Sequence, residues 1–231
     1  MALELARSPE SSREAHARQL RNAAVADGGR RDHVRIVTGP QPFRHAHYAA
    51  DLFFQADLAE GAVHNVYGQR VLRVTENFLR TLTSALTGET PERAGHVLYQ
   101  IGRAWGAANM RDFPSRVEQE WEVEFDKLAM GVMLESWWWP FRASGWGTWR
   151  CDLSRARTGI VTIDVFDSAT ASAAGRSGDF ACSVYAGLFA AVFSHLARRD
   201  LGALEVRCAA KGDDRCTFLV AAPARIERAA D

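Results

Sequence analysis

Apolar and polar positions divide the chain into segments of two periods. Ile160, Thr162 and Asp164 alternate with Val161, Ile163 and Val165, which puts the valines and Ile163 on one face of a strand. We therefore expect an antiparallel pair over 145–153 and 159–166, the second strand being the more apolar on its valine side. A hairpin is expected at 203–210 and 215–222. Its tip, Lys211-Gly212-Asp213-Asp214, carries the glycine and aspartates that tight turns need. Upstream, Ala62, His64 and Val66 alternate with Val63 and Asn65 before a turn at Tyr67-Gly68, so 52–74 reads as extended structure.

Other stretches keep helical spacing. Thr75 is placed to cap a helix with Phe78, Leu79, Leu82 and Leu86 on one face, closed by Gly88. Thr90-Pro91-Glu92 opens a second helix to about Asp112, burying Val97, Leu98, Ile101 and Trp105. Gly102 and Gly106 leave a shallow strip on that helix, suited first to close packing of another element. Pro114 starts a third helix, with Trp121, Phe125, Leu128, Ala129, Val132 and Met133 in step, which Pro140 ends after Trp138. The three indoles of Trp137-Trp138-Trp139 point about 100° apart on a helix, so at least one is expected at a cavity, an interface or the surface. A buried helix at 180–196, capped by Asp179, carries Tyr185, Leu188, Phe189, Val192 and Phe193, with His195 near its C-terminal dipole. The segment 168–178 is small and polar, a loop or short helix, and the tail after Pro223 is charged and frayed.

Composition narrows the class. The 231 residues carry 28 basic and 28 acidic side chains, so no global field favours nucleic acid or an anionic membrane. No run of eighteen apolar residues exists to span a bilayer. Residues 1–32 are charged and alanine-rich, ending in Gly28-Gly29-Arg30-Arg31, and read as a disordered extension without a secretory core. This implies a cytoplasmic protein with reduced cysteines. A short strand at 33–37 and a linker at Gly39-Pro40-Gln41-Pro42 follow, and His45 and His47 read as loop histidines. The domain is expected over 33–222, with 223–231 as a tail.

Candidate chemistry concentrates near the C-terminus. Three of the four cysteines, Cys182, Cys208 and Cys216, fall on the buried helix and the hairpin, and Glu205 lies three residues before Cys208. Thiolates with a carboxylate suit tetrahedral zinc with no open position. Glu205 and Cys208 are an odd number apart, however, and cannot face one ion without a bulge or a strand end. Small buried hydrophobes in a reducing compartment, or a cross-strand disulfide, are the other readings of the same residues. The tryptophans, Trp105, Trp137, Trp138 and Trp146 among them, suit an aromatic-lined pocket.

The run from Glu205 through Cys208, Lys211-Gly212-Asp213-Asp214 and Cys216 to Phe218 resembles the C-terminal motif of the 4-vinyl reductase, or hydrocarbon-binding, domain. Gly102-x-x-Trp105-Gly106, Gly145-Trp146-Gly147 and Cys182-x-x-x-Ala186-Gly187 are similar to that family in the same order, so the resemblance covers 62–222. It implies an α+β fold, an antiparallel sheet packed against helices with a small-molecule pocket between them. It also implies a structural zinc on Cys182, Glu205, Cys208 and Cys216, and a homodimer. Trp105, Trp137, Trp138, Trp146, Tyr185 and Phe189 are the candidate ligand contacts. Stand-alone members imply a tetrapyrrole-like or aromatic guest, or a part in (bacterio)chlorophyll or photosystem biogenesis.

Phosphate loop, nucleophile elbow and dinucleotide fingerprint are all missing from the sequence, and no pair of carboxylates is spaced for acid–base work. The expectation is a hydrophobic small-molecule binder, sensor or carrier. The alternatives are a vinyl reductase, which needs a hydride donor with no recognisable site here, and an assembly factor.

Overall fold

The computed structural model describes residues 36–37, 53–57, 59–65 and 67–230. The extension at 1–32, the linker at 39–42, His45 and His47 lie outside the described residues. The fold is α+β, as the alternating and helical periods predict, and it divides into two compact units.

The larger unit holds 36–37, 74–113 and 140–230 of the described residues. Its sheet runs β1 (Ile36–Val37), β5 (Thr148–Asp152), β6 (Ile160–Phe166), β8 (Cys216–Ala221) and β7 (Gly202–Arg207), every neighbour antiparallel. Alternation fixes one apolar face. Cys151 pairs with Ile163, which pairs with Phe218, and all three are fully buried. Trp149, Val165 and Cys216 form the next row on the same face. The helix α5 (Ser183–Ala197) covers that face, and Phe189 stacks on Trp149 at 6.1 Å and meets Phe218 edge-on at 5.2 Å. It begins three residues later than its apolar pattern suggests, because Asp179 and Phe180 precede Cys182 at the actual start and Phe180 is 46 % exposed.

Two helices flank α5. In α2 (Ala94–Trp121), Gly102 and Gly106 lie against α5: a Cβ on Gly102 would fall 2.0 Å from the Val184 carbonyl oxygen. Ile101, expected inside, is 48 % exposed, since the face with the glycines is the one that packs. In α1 (Glu76–Glu89), no residue is fully buried and Phe78 is 53 % exposed, against the apolar face read from its spacing. The short α4 (Ala169–Ala174) is capped by Ser168 and joined to α1 by Arg80, which donates to the Ala173 carbonyl, and by the Ser172 hydroxyl, which donates to Glu76. The expected frayed tail is instead α6 (Pro223–Ala230), whose Ile226 lies against Gly202.

The smaller unit holds 53–57, 59–65, 67–73 and 114–139. Here β2 (Phe54–Asp57), β3 (Ala62–Asn65) and β4 (Arg70–Val71) form an antiparallel meander. The Asn65 side chain ties its second turn by accepting from the N–H groups of Tyr67 and Gln69. Two prolines read as helix boundaries are interior: Pro114 lies within α2, and Pro140 within α3 (Met130–Ala143). A proline removes one helical hydrogen bond. Buried Met110, Phe113, Val117 and Trp121 along one side of α2 carry the helix past that defect. The break falls at Glu122 instead, with a left-handed φ of 53°. Trp137, Trp138 and Trp139 are all buried, so none reaches the surface.

Candidate metal centre and aromatic cluster

Sequence register brings Cys182, Glu205, Cys208 and Cys216 together. Glu205 pairs with Phe218 across the hairpin, which places a carboxylate on the apolar face of the sheet. The register slips between Glu205 and Arg207, so Val206 is an extra residue and the strict alternation stops. Cys208 then follows the end of β7 and opens a single 3₁₀ turn, Ala209–Lys211. Both devices that an odd spacing demands, a bulge and a strand end, are therefore present. Cys216 starts β8, and Cys182 stands at the N-terminus of α5.

All four side chains are buried, and their ligand atoms lie within 4.8 Å of one another. Cys182 Sγ is 3.5 Å from Cys216 Sγ and 4.0 Å from Cys208 Sγ, and Cys208 and Cys216 are 4.0 Å apart. Every cysteine is free, so the alternative of a cross-strand disulfide is not realised. Glu205 Oε2 accepts from the Cys182 N–H at 2.9 Å, satisfying one orphan donor at the helix start. Its other oxygen, Oε1, is buried without a hydrogen-bond partner. A buried carboxylate oxygen left so is costly unless something else meets it. Such a cluster could hold a metal ion.

Electrostatics without an ion reflect crowding. Burial, then the contact with Cys208, pushes the Glu205 carboxyl up to about 8. Hydrogen bonds from Cys182 and Cys216 hold the Cys208 thiol well below its usual range, and the same contacts raise Cys182. For Cys216, the hydrogen bond from Cys182 is outweighed by Cys208 and burial, and its thiol is pushed up to about 12. One negative charge shared by three sulfurs is what this cavity tolerates before a cation enters.

The backbone around the sulfurs is fixed by contacts the motif does not advertise. The Cys208 N–H donates to Asp213 Oδ2 at 2.8 Å, while the Lys211 and Asp213 N–H groups donate to the Cys208 carbonyl. The Ala209 N–H points at Cys216 Sγ, 3.5 Å away. The Ser168 hydroxyl lies 3.4 Å from Cys182 Sγ. Only the Asp213 contact had a sequence cue, an aspartate in a turn beside a cysteine.

The six candidate ligand contacts divide between the units. Trp105, Trp146, Tyr185 and Phe189 form one aromatic group: Trp105 is 5.0 Å from Trp146 and 5.1 Å from Phe141, and Tyr185 lies 6.1 Å from both Trp146 and Phe189. Trp105 and Trp146 are half-buried; Tyr185 and Phe189 are fully buried. The Tyr185 hydroxyl donates to the Trp146 carbonyl, and burial followed by the nearby Cys182 and Cys216 sulfurs keeps the phenol neutral. Trp137 and Trp138, 5.6 Å apart, belong to the smaller unit and are buried there. Among the described residues, no helix is long and apolar enough to cross a membrane.

Comparison with known proteins places the same segment. A family model of the vinyl-4-reductase domain matches residues 161–222, which run from β6 through the hairpin and contain all four cluster residues. No curated protein matches the chain. Among solved structures, the phenol-responsive sensory domain of the transcription activator PoxR is similar, with 18 % identity and a TM-score of 0.55 over 74 % of this chain and 85 % of that one. A vinyl-4-reductase family protein from Methanocaldococcus jannaschii is also 18 % identical, with a TM-score of 0.38 over 53 % of this chain and 66 % of that one. With that domain over 161–222, this chain is a vinyl-4-reductase-domain protein.

Proposed function

We propose that the chain is a small-molecule-binding domain, a sensor or carrier for a hydrophobic aromatic or tetrapyrrole-like guest, built beside a structural zinc site. The zinc ligands are Cys182, Glu205, Cys208 and Cys216. A tetrahedral ion with metal–sulfur bonds of about 2.3 Å needs sulfurs about 3.8 Å apart, and the three separations of 3.5, 4.0 and 4.0 Å bracket that edge. The orphaned Glu205 Oε1 supplies the fourth donor. With four protein ligands no position stays open, so the ion contributes to folding by tying α5 to the hairpin.

Tyr185 is the observation that carries the reading. It stands one turn beyond Cys182 and joins the ring group of Trp146 and Phe189. Metal and aromatic wall are thus parts of one buried structure. Half-buried Trp105 and Trp146 present rings suited to a flat apolar guest, and Trp137 and Trp138 stay in the candidate set within the smaller unit. The likeness in fold to a domain that responds to phenol supports this ligand class. The reading includes a homodimer in a reducing, cytoplasmic setting.

Native mass spectrometry and metal analysis on one untagged sample test it. The expected result is one zinc per chain, a dimer mass, and quenching of tryptophan emission on titration with phenol or with a porphyrin. A metal-free protein with emission indifferent to both probes would sink the proposal. NADPH-dependent turnover of a vinyl-bearing tetrapyrrole would favour a reductase, and a co-purifying protein with no guest would favour an assembly factor.

A further inference from the structure

We propose that Ser168 is a positioning residue for the metal centre, donating its hydroxyl proton to the Cys182 sulfur when an ion is bound; this rests on the metal reading above. Ser168 is buried, and its hydroxyl belongs to one small polar network. Its Oγ accepts from the Ala171 N–H at 3.2 Å, lies 3.1 Å from Thr170 Oγ1, and lies 3.4 Å from Cys182 Sγ. The Tyr185 phenol is a further neighbour, its own proton being given to the Trp146 carbonyl. A hydroxyl has one proton to give. A metal-bound cysteine sulfur is a thiolate, which can only accept, so in the loaded centre the Ser168–Cys182 contact has one possible direction. The thiolate is also the most negative acceptor within reach, and charge-assisted bonds are the stronger ones.

The contact lies outside the four ligands, and neither cysteine spacing nor the helix pattern points to it. It also has a structural consequence. Ser168 opens α4, and the next residue, Ala169, donates its N–H to the same Trp146 carbonyl that accepts from Tyr185. One dipeptide therefore touches the metal ligand on one side and the aromatic group on the other.

The test uses the full chain with cobalt(II) exchanged into the site. Wild type is expected to show intense near-ultraviolet sulfur-to-cobalt bands. A hydrogen bond lowers the energy of sulfur lone pairs, so Ser168→Ala moves those bands to lower energy. Chelator competition then shows cobalt held roughly 10–100-fold more weakly. Ser168→Thr, which keeps the hydroxyl, returns the bands to the wild-type position. Should Ser168→Ala not fold, Ser168→Cys, with its weaker S–H donor, is read in the same way. Unchanged bands and affinity in the hydroxyl-free variant would show that Ser168 only caps α4, and would overturn the proposal. A wild type without thiolate bands removes the metal centre itself, and this inference with it.

Discussion

A Cβ placed on Gly187 would lie 1.9 Å from the carbonyl oxygen of Tyr99, so α2 and α5 cross with backbone against backbone. The relationship is reciprocal, because Gly102 on α2 meets the Val184 carbonyl of α5 in the same way. Nothing flexible lies between the helices to absorb an added methyl. We expect Gly187→Ala to cost about 3 kcal/mol or more, at the upper end of overpacking changes, read as a lower urea midpoint. Gly88→Ala on α1, where nothing lies within 4 Å, should instead stabilise by roughly 0.5–1 kcal/mol through helix propensity alone.

Removing one sulfur should empty the centre. Cys208→Ser is expected to lose the bound zinc and the stability that binding supplies, about 4 kcal/mol when free metal exceeds Kd a thousandfold. Metal analysis and thermal unfolding of both proteins, with and without chelator, check it. A variant that keeps full metal and melts like wild type refutes the ligand assignment.

The buried carboxyl makes a signed prediction about pH. In the metal-free protein Glu205 keeps its proton up to about 8, whereas in the unfolded chain it releases it near 4.5. Folding therefore takes up a proton within that window, and the Glu205 contribution to stability, complete below 4.5, is lost as pH rises to 8. The Cys208 thiolate works in the opposite direction, since its folded pKa is lowered. Glu205→Gln removes only the first effect. Its stability relative to metal-free wild type should rise steadily from pH 4.5 to 8; a difference independent of pH would contradict the burial argument. With zinc present the trend reverses, because binding expels the Glu205 proton and affinity climbs with pH.

Trp105 offers the cleanest probe of the aromatic group, since it is half-buried and its ring meets Trp146 and Phe141. Trp105→Ala should weaken phenol or porphyrin binding at least tenfold while leaving zinc content at one per chain. Loss of metal together with guest binding would mean that the variant has damaged the fold rather than the wall.

How much of this was legible beforehand depends on whether a local rule met a tertiary override. The alternation at 160–165 survives intact because both neighbours of β6 hold it in register. Glu205, Cys208 and Cys216 announce themselves by type and order, and the odd spacing demanded an irregularity that the bulge at Val206 and the end of β7 supply. The prolines misled. Pro114 and Pro140 carry a local penalty that reads as a boundary, but the apolar residues flanking each are buried and hold the helices through. Phe78 and Ile101 misled in the other direction: helical spacing marks a face but not whether anything covers it. Ser168 carried no signal, because its partner is fourteen residues away across a helix and a turn.

The extra residue at Val206 also constrains how this hairpin can change length. Deleting any one position between Glu205 and Cys208 would restore an unbroken ladder and a tidier ribbon. It would also rotate the sulfur to the wrong side of the sheet. Related chains can thus gain or lose residues freely at surface turns such as Gly61, but here only changes that leave the count intact keep the tetrad assembled.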